Sequence, residues 1–235
     1  MLSLVESPNS EPLGPRSQTS LAYARIRRDL LGGRYTPGER LKITDLAAAL
    51  DVSPGAVREA LSRLVPEQLV VSRDQKGFVV APLSIQDLED LTDLRCEMEA
   101  IGLRRSVALG DEGWEAQVLA AAHRLRRSKM LSDPERTLTP EWVDRHAAFH
   151  AALVSACGNR RLLDIIAQLY QQSERYRGLS IYVEGERDID AEHQGLVDAA
   201  LDRNADRLVE LMCAHLRTTT LKIVSASRAS AAVIA

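Results

Sequence analysis

The chain has 235 residues, 45 % hydrophobic and 27 % charged, a balance that excludes a disordered polymer and fits a globular protein. Its net charge of −3 argues neither for nor against a nucleic-acid partner. Only 4 % of residues are aromatic, so aliphatic side chains must build the core, and abundant Leu and Ala favour helices.

The first 18 residues hold Glu6, Pro8, Asn9, Glu11, Pro12 and Pro15 and no apolar run. They are expected to form a disordered tail, not a signal peptide. The basic part is the front, where residues 16–82 carry 11 Lys/Arg against 7 Asp/Glu, whereas 83–235 carries 19 against 24. Phosphates are expected to meet the front segment. Thr19 or Ser20 should cap a helix carrying Leu21, Ala24, Ile26 and Leu30, stopped at Gly32-Gly33. A turn and an extended piece follow, Tyr35 to Leu41. Thr44 should cap a short helix over 45–50, with Leu46, Ala47 and Leu50 on one face. Asp51-Val52 makes a tight turn. Ser53 caps the next helix, and Pro54 takes its first position, where the missing N–H costs nothing. Val57, Ala60, Leu61 and Leu64 form the buried stripe of that helix, which leaves Arg58, Ser62 and Arg63 outside. Leu69-Val70-Val71 and Phe78-Val79-Val80 are strand-like runs joined by a polar tip, Ser72 to Gly77.

Helix, helix, helix, hairpin in about sixty residues is the order of a winged helix-turn-helix. The helix-turn-helix itself is expected over 43–62, with a two-stranded wing behind it. Arg58, on the first exposed turn of the second helix, is best placed to grip guanine or phosphate. Ser53 and Thr44 sit at helix N-termini, which suit phosphate. Gly55 would let DNA approach closely. Arg63, Lys42 and Arg40 can bind phosphate, and Lys76 and Gly77 lie at the wing tip. The plainer alternative is two packed helices with solvated arginines. The hairpin arriving in its place weighs against it.

After a hinge at 81–84 everything reads as helical. Helices are expected over about 85–109, 113–130, 140–157, 160–180, 187–203 and 205–229. The fold expected is therefore mainly α, a winged head followed by an all-α bundle of six to seven helices over 83–235. Cys96, Cys157 and Cys213 form no CxxC pair and read as buried thiols of a reducing compartment. No stretch is apolar enough to span a bilayer, so a cytoplasmic protein with no membrane partner is expected. His146 and His150 share one helix face at i and i+4, a common way to present two metal ligands. His193 and His215 lie on later helices that a bundle can bring to the same place. Spacing alone leaves open an ordinary amphipathic helix with half-buried histidines. His123, among Arg124, Arg126 and Arg127, reads as surface.

Two sets of residues carry a family resemblance. Pro37-Gly38-Glu39-Arg40-Leu41, Leu46-Ala47, Val52-Ser53, Val57-Arg58-Glu59-Ala60-Leu61 with Leu64, and Gly77-Phe78-Val79 resemble the GntR family of bacterial regulators. Where that family often has Arg after Val-Ser this chain has Pro54. Where it usually has Gly before Leu69 this chain has Gln68, which predicts a left-handed residue at a cost of about 1 kcal/mol. Leu94-Arg95 with Glu99, Phe149-His150 with Leu153 and Asn159, Glu192-His193, and Met212 with His215 resemble the FCD effector domain of the FadR-like branch. That resemblance implies a homodimer that binds an operator in double-stranded DNA. It also implies a divalent metal on His146, His150, His193 and His215. His146 stands where relatives have a carboxylate, which favours zinc or nickel. It further implies a small carboxylic-acid effector held by Arg95, with Arg175 and Arg177 as a second anion contact. An ion pair of Arg95 with Glu99, and surface positions for the other two arginines, are the alternatives. Trp142 to Asn159 with Gln172 to Arg177 is similar to the branch holding the carbon-starvation-induced regulator, which implies a dicarboxylate such as glutarate. A metabolite-responsive repressor that is not an enzyme is the function expected. A metal-dependent bundle enzyme and a DNA-binding protein with a purely structural bundle are the rivals.

Overall fold

The computed structural model describes residues 17–32, 34–73, 77–132, 137–180 and 187–229. Residues 1–16 of the expected 1–18 tail, Gly33, Lys76 and the last six residues lie outside the described residues, whereas Ser17 and Gln18, expected in that tail, cap and open the first helix.

The head opens with α1 (Gln18–Leu31), which buries Ala22, Ile26 and Leu30 at helical spacing. Its N-cap is Ser17, whose hydroxyl accepts from Ser20 N, two residues before the first of the expected caps. The helix-turn-helix follows as α2 (Ile43–Leu50) and α3 (Pro54–Leu64). The α3 stripe is the expected one, with Ala56 added, and Val57, Ala60, Leu61 and Leu64 are fully inside. Ser53 caps α3 by accepting from Ala56 N at 3.2 Å. Ser53→Ala should therefore cost about 1 kcal/mol, readable as a lower denaturation midpoint at unchanged slope.

The wing is larger than expected. The extended piece Arg40–Leu41 is β1, and it pairs with β3 (Gly77–Val80), which pairs in turn with β2 (Val70–Arg73). The sheet has three strands in the order β1-β3-β2. Gly38 at φ +81° makes the turn that aims β1 at β3, with its N–H on the Val80 carbonyl. This pairing also corrects the expected cap of α2. Lys42 leaves the strand in extended conformation and becomes the N-cap, with no side-chain cap, so Thr44 falls inside the first turn. Gln68 stands at φ +58°, the left-handed conformation expected of it. Gln68→Gly should add about 0.5–1 kcal/mol, because relief of the left-handed strain exceeds the entropy that glycine brings to the unfolded chain. Urea unfolding measures it.

The bundle contains α4 (Ile85–Leu109), α5 (Glu112–Arg126), α6 (Pro140–Val154), α7 (Arg160–Ser180), α8 (Ile189–Leu201) and α9 (Ala205–Ala229). Two of the expected ends move inward. A turn in which Ser128 N and its hydroxyl reach the Leu125 carbonyl closes α5 at Arg126, and Ser155 and Cys157 turn the chain out of α6. Helix α4 runs between α6, α7 and α9 and buries Leu88, Leu91, Arg95, Cys96, Glu99 and Leu103. The main core gathers Leu103, Val118, Phe149, Leu153, Leu196 and Met212 among others. A smaller cluster of Leu83, Leu88, Leu91, Leu169, Tyr176 and Ile223 seats the linker that leaves the head on the bundle.

Candidate functional site

Four imidazoles meet in the bundle core. His146 and His150 come from one face of α6, His193 from the first turns of α8, and His215 from the middle of α9. Their candidate ligand atoms all lie within 4.8 Å of one another, and each residue is buried. Nitrogen ligands on one tetrahedral zinc stand about 3.3 Å apart, so the set would have to draw in by up to about 1.5 Å to hold one. His123 is exposed on α5, as expected.

Outer contacts orient the rings. Glu192, one residue before His193, takes the His215 Nδ1 at 2.7 Å and is itself gripped by Arg187 at 2.6 and 2.7 Å. Arg187 also donates to the His215 carbonyl and to Thr219. With Nδ1 engaged, His215 keeps Nε2 for the cluster. The His150 and His146 Nε2 atoms face each other at 3.2 Å. His193 Nε2 and His150 Nδ1 are buried with no hydrogen-bond partner among the described residues. Burying bare imidazole nitrogens is costly, and an ion taking their lone pairs removes that cost. The residues present therefore fit a divalent metal.

Electrostatics agree. Burial first, then Arg177 and the neighbouring histidines, hold His146 well below the usual imidazole range. Burial and His215 hold His193 down at about 3. Glu192 would be raised by its burial, but hydrogen bonds from Arg187 and His215 bring it to about 2. At neutral pH the cluster is four neutral imidazoles beside a fixed carboxylate, the protonation a metal requires.

The predicted effector arginines separate. Arg95 is buried on α4, donates to Ser173 Oγ at 2.7 Å and pairs with Glu99 at 3.2 Å. The Glu99 alternative is thus present, yet Arg95 Nε and Glu99 Oε2 remain without hydrogen-bond partners among the described residues. Burial raises the Glu99 pKa despite Arg95. Arg177 reaches the cluster itself, touching His146 Nδ1, donating to Tyr170 OH at 3.0 Å and pairing with Glu174 at 2.8 Å. Arg95, Arg177 and His215 line one cavity of about 30 Å³, room for a water molecule. Arg175 is not with them. It turns the other way, onto backbone carbonyls of the head and linker. Sequence reasoning missed Tyr170, Ser173, Glu174 and Arg187, because nothing in their spacing ties α7 or the start of α8 to α6.

On the head, Arg40, Lys42, Thr44, Ser53, Gly55, Arg58, Arg63 and Gly77 are all exposed. Lys42 and Thr44 stand at the N-terminal end of α2, and Ser53, Gly55 and Arg58 at or near that of α3. A Cβ added to Gly55 would meet nothing within 4 Å, so the backbone there is open to a close approach. Arg63 is set apart at the far end of α3, where its guanidinium lies 4.7 Å over the Tyr23 ring of α1. Arg73, at the end of β2 and exposed, adds a wing cation that was not singled out.

A winged helix-turn-helix joined to a helical bundle with a buried polar cluster is the build of a DNA-binding regulator. Residues 18–80 match the bacterial regulatory proteins of the gntR family, and residues 90–218 match the FCD domain. The chain is 40 % identical over 207 residues to the HTH-type transcriptional regulator BphR of Paraburkholderia xenovorans (strain LB400), spanning 87 % of this chain and 84 % of that one. It is 39 % identical over 206 residues to the HTH-type transcriptional repressor GlaR of Escherichia coli (strain K12), spanning 85 % and 93 %. The solved structure of E. coli McbR/YncC shares the fold, with a TM-score of 0.72 at 18 % identity over 90 % of this chain and 99 % of that one. The chain belongs to the gntR family of bacterial regulatory proteins and carries an FCD domain. It is a DNA-binding transcriptional regulator, and its family role is regulatory, not catalytic. Among the described residues no helix is long and apolar enough to cross a membrane.

Proposed function

We propose that the protein is a homodimeric, cytoplasmic repressor of the FadR-like branch that releases its operator when a small carboxylic acid, a dicarboxylate in particular, binds the bundle. Residues 19–82 bind DNA through Arg58, Ser53, Thr44, Gly55, Lys42, Arg40, Arg63, Gly77 and Lys76. Residues 83–235 dimerise and sense the acid. The observation that carries this reading is the cluster of four buried histidines beside the buried Arg95 and the largely buried Arg177, with His215 and both arginines lining one cavity. Zinc or nickel on the four imidazoles would supply a Lewis-acid anchor for one carboxylate oxygen. The arginines supply planar, permanently charged forks for the other carboxylate. The 39 % identity to a protein described as a repressor supports the sign of the response.

A cavity of about 30 Å³ cannot take a dicarboxylate unless helices part, so binding must do work on the bundle. Work done there can shift the spacing of two heads, and couplings of this kind run at about 1–3 kcal/mol. The test is a titration of zinc-loaded protein on a duplex it has itself selected from a random pool. Glutarate and other C4–C6 dicarboxylates should weaken DNA binding roughly 5- to 150-fold. Affinity unmoved by any such acid would sink the effector reading.

A further inference from the structure

Residues two apart on an α-helix point about 200° away from each other. On α7 that geometry puts Arg177 against the histidine cluster and Arg175 against the linker. Arg175 donates one guanidinium nitrogen to the Gln68 carbonyl. It gives the other to the Ala81 and Pro82 carbonyls at 2.9 and 2.8 Å. Among the described residues it makes no ion pair, although burial lowers its pKa. Three main-chain oxygens from two separate segments are therefore held by one rigid fork. The first belongs to the left-handed turn between α3 and β2, where φ of +58° swings the peptide out of the helix path. The other two are the first residues of the linker, just past the point where Ala81 N bonds to the Leu69 carbonyl. Tyr176 locks the same stretch of α7, with its ring in the linker's apolar cluster and its hydroxyl on Asp87.

We propose that Arg175 is the positioning residue through which the bundle holds and steers the DNA-binding head, passing shifts of α7 at the histidine cluster to the Gln68 turn and the 81–82 linker. The steering half rests on the reading of the cluster as a metal and effector site. There the chemistry is specific. Arg177 can donate to His146 Nδ1 only while that nitrogen carries a lone pair. A metal held by the other nitrogen would favour the ring proton on Nδ1, where it would face the Tyr170 hydroxyl and oppose the Arg177 N–H. Loading the cluster thus changes what Arg177 grips, one helical half-turn from Arg175.

Hydrogen exchange on the full-length protein, with zinc as the only added ligand, tests this. Parent protein should change its exchange at residues 66 to 73 and 80 to 84 when zinc binds. Arg175→Gln should raise basal exchange in those two stretches roughly tenfold or more, leave α4 to α9 core exchange and zinc affinity as they were, and abolish the zinc response. Arg175→Lys, a point cation without the fork, should recover only part of it. A Gln variant that responds to zinc as the parent does overturns the proposal, and so does loosening spread through the bundle, the mark of a merely structural arginine. Zinc binding to the parent with no change in the two stretches overturns the steering and leaves the metal reading standing. A parent that binds no zinc removes the metal reading. Arg175 is then judged on the zinc-free comparison, where unchanged linker exchange in the Gln variant overturns it.

Discussion

Zinc added to metal-free protein should raise its thermal midpoint, and His193→Ala should abolish the gain. At free zinc about a thousandfold above the dissociation constant, binding to the folded state alone is worth about 4 kcal/mol. For a chain of this size that is about 8–16 °C. The expectation rests on readiness. Burial, with neighbouring cations, holds the four imidazoles neutral, so no proton has to be expelled at pH 7. The His215 ring already has its outward nitrogen engaged, by Glu192, and His146 has the Tyr170 hydroxyl beside its Nδ1 to receive the ring proton. His193 is the informative ligand to remove, because its buried Nε2 has no other partner among the described residues to fall back on. His123→Ala, on the exposed face of α5, is the matched control and should leave the gain intact. Differential scanning calorimetry reads all three proteins. A midpoint indifferent to zinc in the parent, or a gain that survives His193→Ala, would remove the metal site from the molecule.

The same contrast between local and distant information decides what the sequence could reveal. Ser53-Pro54 announced α3 because a cap and a first-position proline act within four residues, and the structure has both in place. Gln68 could be placed in the left-handed region only because the family the chain resembles usually has glycine there. Thr44 was misplaced as a cap for want of distant information. The conformation of Lys42 is set by β1 pairing with Phe78 and Val79, more than thirty residues on, and no local preference of Thr44 reports that.

The candidate site divides along the same line. His146 and His150 advertise a shared face by their i, i+4 spacing, whereas convergence with His193 and His215 needs α8 and α9 to pack as they do. Arg175 and Arg177 looked alike in sequence. Only the rotation of α7 assigns one to the linker and the other to the histidines. The apparent redundancy of two nearby cations is in fact two jobs on opposite sides of one helix.

Arg58→Ala should cost operator affinity more than any other single substitution in the head. Pro54 leaves the first turn of α3 without a cationic side chain, and Arg63 is drawn away over Tyr23. Arg58 is therefore the exposed cation nearest the N-terminal end of the recognition helix, the end that enters the major groove. A bidentate guanine contact is worth about 1–3 kcal/mol, so the loss should be roughly 5- to 150-fold. Its character is as telling as its size. If Arg58 reads a base, the variant should relax preference at one position of each half-site while the salt dependence barely changes. If it grips phosphate, affinity should fall evenly across sequences and the salt slope should drop by about one. Either way the thermal midpoint should hold, because the side chain is exposed and contributes nothing to the stripe formed by Val57, Ala60, Leu61 and Leu64. An unchanged affinity would mean that the head docks with α3 turned away from the groove. The exposed wing cations Arg40 and Arg73, with the linker that aims them, would then have to carry recognition.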